Sequence, residues 1–145
     1  MSLFLVILAA GNSKRFKSNI PKPFYEVNNK TLLEHSINTF KSINKFKKIV
    51  LVYNKKHKKF LKKINLKNTL KVTGGTTRKE STFNALKRIK KMNCKKILIH
   101  DAARPSPPKS MISKIIQLLK KNHAVIPIIK VNDATKRVKD SKIFK

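Results

Sequence analysis

The chain of 145 residues has no tryptophan, one cysteine, three glycines and only six acidic residues. With Cys94 alone, no internal disulfide is possible, and a reducing compartment is compatible. Cys94 lies beside Met92 and Ile97 and reads as a small core thiol. Two tyrosines and eight phenylalanines leave the core to aliphatic residues, sixteen isoleucines among them. No run approaches the roughly eighteen to twenty apolar residues that span a membrane. The N-terminal LFLVILAAG has no basic segment before it, and its apolar stretch is short for a signal peptide. A soluble, cytoplasmic protein is expected, with no membrane partner. No Ser-His-Asp or Cys-His arrangement, no glycosidase-like carboxylate pair and no zinc-ligand spacing occurs.

Scarcity of acid leaves a formal net charge of +30. Such a balance raises nucleic acid as a partner, because cations displace counterions from phosphates. The details argue against it. Thirty-one of the thirty-six basic residues are lysine, spread along the chain without interleaved aromatics. Base readout favours arginine forks, and there are five arginines. Lysine, asparagine and isoleucine make up sixty residues, as drift in an AT-rich genome would produce. No specific nucleic acid is expected.

What is present alternates. Leu3 to Ala9 is an apolar run suited to a strand buried on both faces. Thr31-Leu-Leu-Glu34 is a capping-box pattern opening a helix to about Ile43. Lys48 to Tyr53 reads as the second strand, followed by a short lysine-rich helix with Phe60, Leu61 and Ile64. Leu70 to Thr73 is a weak third strand ending at Gly74-Gly75. Thr77-Arg-Lys-Glu80 is a second capping-box pattern, and its helix carries Phe83, Leu86 and Ile89. Lys96 to His100 is the fourth strand. Ser106 before Pro107 reads as an N-cap for a helix with Ile112, Ile115, Ile116 and Leu119. Ala124 to Val131 reads as a fifth strand. This alternation predicts an α/β fold with a doubly wound, mostly parallel sheet. Residues 1–132 form the core. Residues 133–145 are charged, with a turn at Asp140-Ser141 and a new strand starting in Lys-Ile-Phe-Lys.

In such sheets ligands bind beyond the carboxyl ends of the strands. All three glycines fall there, with Asp101, Arg104 and Asp133. In AAGNSKRF the small residues Ala9, Ala10 and Gly11 let backbone amides approach an anion, and Lys14 and Arg15 add charge. Lys22 follows Pro21. An ordinary βα turn with solvated lysines is the competing reading. The loop is neither a dinucleotide G-x-G-x-x-G nor a Walker P-loop. In His100-Asp-Ala-Ala-Arg-Pro105, Asp101 suits Mg²⁺, which takes one or two carboxylates plus phosphate oxygens; a structural Asp101–Arg104 ion pair is the alternative. His100 reads as a packed strand-end residue. Gly74-Gly-Thr-Thr-Arg-Lys-Glu-Ser81 offers backbone to a flat base, or serves only as a capping loop. A phosphate cradle, a metal carboxylate and a base-sized pocket on one edge suggest nucleotidyl transfer.

Three segments in order, L-A-A-G-N-S-K-R-F…P-K, G-G-x-x-R-x-x-S and H-D-A-A-R-P, resemble the sugar-nucleotide-type nucleotidyltransferases. Within them the chain is most similar to the 2-C-methyl-D-erythritol 4-phosphate cytidylyltransferases of non-mevalonate isoprenoid synthesis. Ribitol-5-phosphate cytidylyltransferases share the first loop but usually differ at Ala102-Ala103. The resemblance implies a Rossmann-like nucleotidyltransferase fold and CMP transfer from CTP, with release of pyrophosphate. By position, Ala9, Ala10, Gly11, Asn12, Ser13, Lys14 and Arg15 would wrap the triphosphate, and Arg15 and Lys22 would serve catalysis. Gly74, Gly75, Thr76, Ser81 and Ala102 would hold the nucleoside, and Asp101 the Mg²⁺. Asp133, Thr135 and Lys136 would face the sugar phosphate.

The chain departs from that pattern in places. Ser13 stands where a second glycine is frequent, and Thr76 and Thr77 where an acid is common. Asp133-Ala-Thr-Lys136 displaces a threonine by one position. Family members run well past residue 145. Their remainder supplies a second metal-binding Asp, an Arg and a Lys for the substrate phosphate, and the rest of a homodimer arm. Residues 133–145 are therefore expected to begin such an arm, the fold to be C-terminally incomplete, and this length to be inactive alone: a sugar-phosphate nucleotidyltransferase core or a nucleotide-binding remnant.

Overall fold

The computed structural model describes residues 2–13 and 16–130, and strand residues 137–139 and 142–144. Strand β1 (Leu3–Ala9) is buried along its length because it has a parallel neighbour on each side. These are β4 (Lys48–Tyr53) and β6 (Lys96–Asp101), and β5 (Thr69–Thr73) pairs parallel with the outer edge of β4. The order β5-β4-β1-β6 puts the reversal of winding beside β1.

Side chains alternate across β1, so its two sides feed two cores. Leu3, Leu5, Ile7 and Ala9 join Leu33, Ile37 and Phe40 of α1 (Leu32–Lys41) and Ile112 and Ile116 of α4 (Lys109–Leu118). Phe4 and Val6 join Ala85 and Ile89 of α3 (Arg78–Ile89). Helices cover both faces, as a doubly wound α/β fold requires. The short α2 (Lys58–Leu61) adds Leu61 to the first core.

Local chemistry sets the boundaries. Thr31 Oγ1 accepts from the Glu34 amide at 3.1 Å, and the Glu34 carboxylate accepts from the Thr31 amide at 2.8 Å, a complete capping box for α1. The sequence reading overlooked the hairpin before it, β2 (Glu26–Val27) and β3 (Lys30–Thr31). Asn28 and Asn29 turn it with φ of 49° and 59°, the left-handed pair that a tight hairpin favours.

Four expectations change. The apolar side of α3 is not Phe83-Leu86-Ile89. Phe83 and Leu86 are exposed, and the buried face is Ser81, Ala85 and Ile89, small residues that bring the helix close to the sheet. The second capping box is half made. Thr77 caps the Glu80 amide, but the Glu80 carboxylate turns to Thr76. Helix α4 is capped at Pro108 without a side-chain bond, not at Ser106, because each proline pushes the residue before it out of the helical region. No strand forms over residues 124–130. Pro127 lacks a ladder donor, and Val125, Ile126 and Pro127 share a groove with Ile97 and Ile99 of β6 instead of pairing with it. Ile126, Ile128 and Ile129 are 79%, 89% and 91% exposed.

Strands β7 (Arg137–Lys139) and β8 (Lys142–Phe144) form an antiparallel hairpin, and the strand expected in the last residues is present.

Candidate functional site

A cavity of about 580 Å³ opens at the carboxyl ends of β1, β4, β5 and β6. Its lining includes Ala10, Gly11 and Asn12 after β1, Asn54 to Lys56 after β4, Gly74 to Arg78 after β5, and Asp101 ending β6. Four segments distant in sequence therefore meet at the winding reversal, where open α/β sheets hold ligands.

Steric fit explains the glycines. A Cβ on Gly74 would collide with that of Ala10 and lie 2.8 Å from Ser81 Oγ, so the β5–α3 loop can lie on the first loop only without one. A Cβ on Gly75 would lie 2.6 Å from Glu80 Oε2. At Gly11 nothing lies within 4 Å, so its missing side chain leaves cavity space and relieves no clash. Ser81 is buried, and its Oγ accepts from the Gly75 amide at 3.2 Å.

Ser13 occupies the left-handed region with φ 52°, the conformation a glycine would take without cost. Its Oγ accepts from the Lys22 amide at 2.9 Å, tying the first loop to the Pro21-Lys22 segment. Lys22 itself is exposed and opens a 3-10 turn.

Asp101 is clipped in place by its neighbours. The Ala102 amide donates to the Leu8 carbonyl at 3.0 Å, and buried Ser36 Oγ of α1 donates to the Ala102 carbonyl at 3.1 Å. His100 packs edge-on to Phe40 with ring centroids 4.7 Å apart, and its Nε2 donates to the Arg104 carbonyl at 2.9 Å. His100, read from the sequence as a packed strand-end residue, thus packs against α1. The Asp101 carboxylate meets Arg78 at 3.2 Å and Arg104 at 3.6 Å. Arg78 and Asp101 side chains are 67% and 38% exposed, so water screens the pair and a ligand can replace it at a cost below about 1 kcal/mol. A second cavity, about 560 Å³, lies alongside and is lined by Ile99, His100, Arg104, Pro105 and Met111. It shares Arg78 and Asp101 with the first.

Of the expected site residues, Ala10, Gly11, Asn12, Gly74, Gly75, Thr76, Ser81 and Asp101 line the first cavity. Ala9 and Ala102 are buried in the core beneath it. Lys14, Arg15, Asp133, Thr135 and Lys136 lie outside the described residues. Sequence reasoning passed over Asn54, whose Nδ2 donates to Asn12 Oδ1 at 2.8 Å and to the Ala10 carbonyl at 3.3 Å. Its place just beyond β4 was the available signal. Lys55 and Lys56 were hidden by the lysine excess.

The profile of the family described as IspD: 2-C-methyl-D-erythritol 4-phosphate cytidylyltransferase matches residues 3–145. The chain belongs to this cytidylyltransferase family. It is 53% identical over 137 residues to the bifunctional enzyme IspD/IspF of Pelagibacter ubique, covering 94% of this chain and 37% of that protein. It is 33% identical to the 2-C-methyl-D-erythritol 4-phosphate cytidylyltransferase of Clostridioides difficile, covering 96% of this chain and 60% of that one. Among solved structures, the 4-diphosphocytidyl-2C-methyl-D-erythritol synthase of Anaerococcus prevotii superposes with a TM-score of 0.80 at 30% identity. It covers 98% of this chain and 62% of that one. The chain thus spans less than two thirds of these cytidylyltransferases. Its four-stranded parallel sheet is the cytidylyltransferase fold, as the sequence implied.

Proposed function

We propose that the chain is the nucleotide-binding core of an enzyme that transfers CMP from CTP to 2-C-methyl-D-erythritol 4-phosphate and releases pyrophosphate. One observation carries this reading: in a chain of this family, the first loop, the Gly74-Gly75 loop and Asp101 line a single cavity at the winding reversal. The cytosine rests on Gly74, Gly75 and Ser81. Amides of the first loop, with Lys14 and Arg15, hold the triphosphate. The second cavity, with Arg104 on its wall, takes the acceptor together with Asp133, Thr135 and Lys136.

A phosphate oxygen of the acceptor attacks the α-phosphorus in line, and the bond to the β-phosphate oxygen breaks. The acceptor phosphate is already ionised at neutral pH, so no general base is needed. The ionisable lining of the first cavity is Glu80 and Asp101 with Lys55, Lys56 and Arg78. Catalysis then rests on positioning and charge neutralisation, supplied by Arg15 and Lys22. A magnesium ion fits Asp101 only in company with phosphate. Among the described residues no three metal-ligating side chains cluster, so Asp101 would hold the ion and triphosphate oxygens would have to supply further ligands. When bound, the ion neutralises charge on the phosphates. No helix among the described residues is long and apolar enough to cross a membrane. A cytoplasmic homodimer built through the segment from Asp133 onward completes the proposal.

Pyrophosphate release from CTP, measured on the natural gene product with methylerythritol phosphate and with ribitol 5-phosphate, tests it. Turnover with the first acceptor is expected, with Lys22→Ala reducing it on the order of a thousandfold. Turnover only with ribitol phosphate would reassign the acceptor. Nucleotide binding without turnover would make the chain a remnant.

A further inference from the structure

Lys22 sits on a short 3-10 turn, Lys22–Phe24. Its amide donates to Ser13 Oγ at 2.9 Å, and its carbonyl accepts from the Tyr25 amide at 3.1 Å. The side chain is exposed, on a flexible four-carbon stem. Where the ammonium group reaches therefore depends on how the backbone of this turn is seated.

The seat is Phe24, which is 3% exposed and belongs to the first core. Phe60 stacks on it with ring centroids 5.2 Å apart. His57 meets it edge-on, at 6.0 Å and 77°, and meets Phe60 at 6.3 Å and 70°. Three rings thus close a triangle in geometries that aromatic rings prefer. The Nδ1 of His57 is buried and has no hydrogen-bond partner among the described residues. Burial, with Lys56 nearby, holds the imidazole below its ordinary pKa, so the ring is uncharged at neutral pH. What His57 gives the triangle is a packed ring and no hydrogen bond at Nδ1.

The same residue is tied to the start of the first loop. His57 ends the 3-10 turn Lys55–His57, which follows β4 directly, and its amide donates to the Asn54 carbonyl at 2.8 Å. Asn54 in turn donates to Asn12 and Ala10. The turn after β4 therefore touches both limbs of the first loop, Asn54 where it begins and His57 at Phe24 where it ends.

We infer that His57 is a positioning residue for Lys22: its ring, packed on Phe24, holds the Lys22 turn in register with the start of the first loop. The inference rests on the reading of Lys22 as a cation that serves CMP transfer.

Steady-state pyrophosphate release from CTP and methylerythritol phosphate tests it on the full natural gene product. The variants are His57→Ala, His57→Phe, Lys22→Ala and the double variant of His57→Ala with Lys22→Ala. Ile116→Val, in the core under α4, is the control for lost packing alone, and circular dichroism follows folding in all. His57→Ala is expected to lower kcat about ten- to a hundredfold and to change KM for CTP less than about twofold. His57→Phe keeps the ring and is expected to stay within about threefold of the natural kcat. The double variant is expected to be no slower than Lys22→Ala, because His57 acts through Lys22. A natural kcat in His57→Ala would overturn the inference and leave the cytidylyltransferase reading standing. So would an inactive His57→Phe, an equal loss in Ile116→Val, or a double variant slower than Lys22→Ala by the whole His57→Ala factor. No turnover by the natural protein would remove that reading, and the inference with it.

Discussion

Ser13 carries two opposed effects in one residue. A left-handed backbone costs a residue with a Cβ about 1–2 kcal/mol relative to its ordinary conformation. Against this, its hydroxyl joins two loops that are nine residues apart. Ser13→Gly removes the strain and the bond together, and is expected to change unfolding free energy by less than about 1 kcal/mol. Ser13→Ala keeps the strain and loses the bond, and is expected to destabilise by about 1 kcal/mol. In both, amide exchange at Lys22 is expected to accelerate, because its acceptor is gone. Denaturant unfolding and exchange measured on the same three proteins check this. A Lys22 amide exchanging at the same rate in all three would remove Ser13 as the tie.

At the scale of elements, the important contact is that of the β5–α3 loop with the β1 loop. Gly74→Ala places a methyl group against Ala10, Ser81 and Val52. Overpacking of this kind is expected to cost about 1–3 kcal/mol in denaturant unfolding. Gly11→Ala, with open space around it, is expected to leave stability within about 0.5 kcal/mol and to weaken CTP binding by occupying the cavity. Reversal of that ranking would mean the loops are not in contact. Strands β1 and β4 could be read from sequence because a parallel strand buried on both faces leaves an unbroken apolar run. The α1 start could be read because its cap is entirely local. The segment 124–130 could not, since apolar β-branched residues say what a segment suits and nothing about a neighbour to pair with. Phe83 and Leu86 misled for a related reason: the face of α3 that packs carries small residues, Ser81 against Gly74 and Ala85 in the core with Phe4 and Val6. The glycines and Asp101 were visible as rare residues at strand ends, and Ser81 as part of the Gly74–Ser81 segment. Glu80 was visible only as a cap, because its bond to Thr76 depends on a loop conformation.

For the molecule as a whole, the +30 charge makes acidification unfavourable, since each proton taken up adds to self-repulsion. Two histidines sharpen this. Burial, above all, lowers the His100 pKa, outweighing its bond to the Arg104 carbonyl and the nearby Asp101. Burial, with Lys56 nearby, lowers that of His57. The unfolded chain then binds more protons than the folded one as the pH falls below the ordinary imidazole value of 6.5. Stability therefore rises with pH across that window. Melting temperature is expected to fall between about pH 7.5 and about pH 5.5 and to fall less in His100→Gln. An unchanged slope in that variant would place the effect elsewhere.

The ion pair of Arg78 with Asp101 forms a party wall between the two cavities. Whatever a guest on one side does to that wall, a guest on the other side feels. If the two cavities hold the proposed ligands, thermodynamic reciprocity fixes the exchange: the factor by which a nucleotide in the first changes the hold on an acceptor in the second equals the factor of the reverse effect. Two neighbouring chambers with a common wall are the arrangement through which two guests could feel one another.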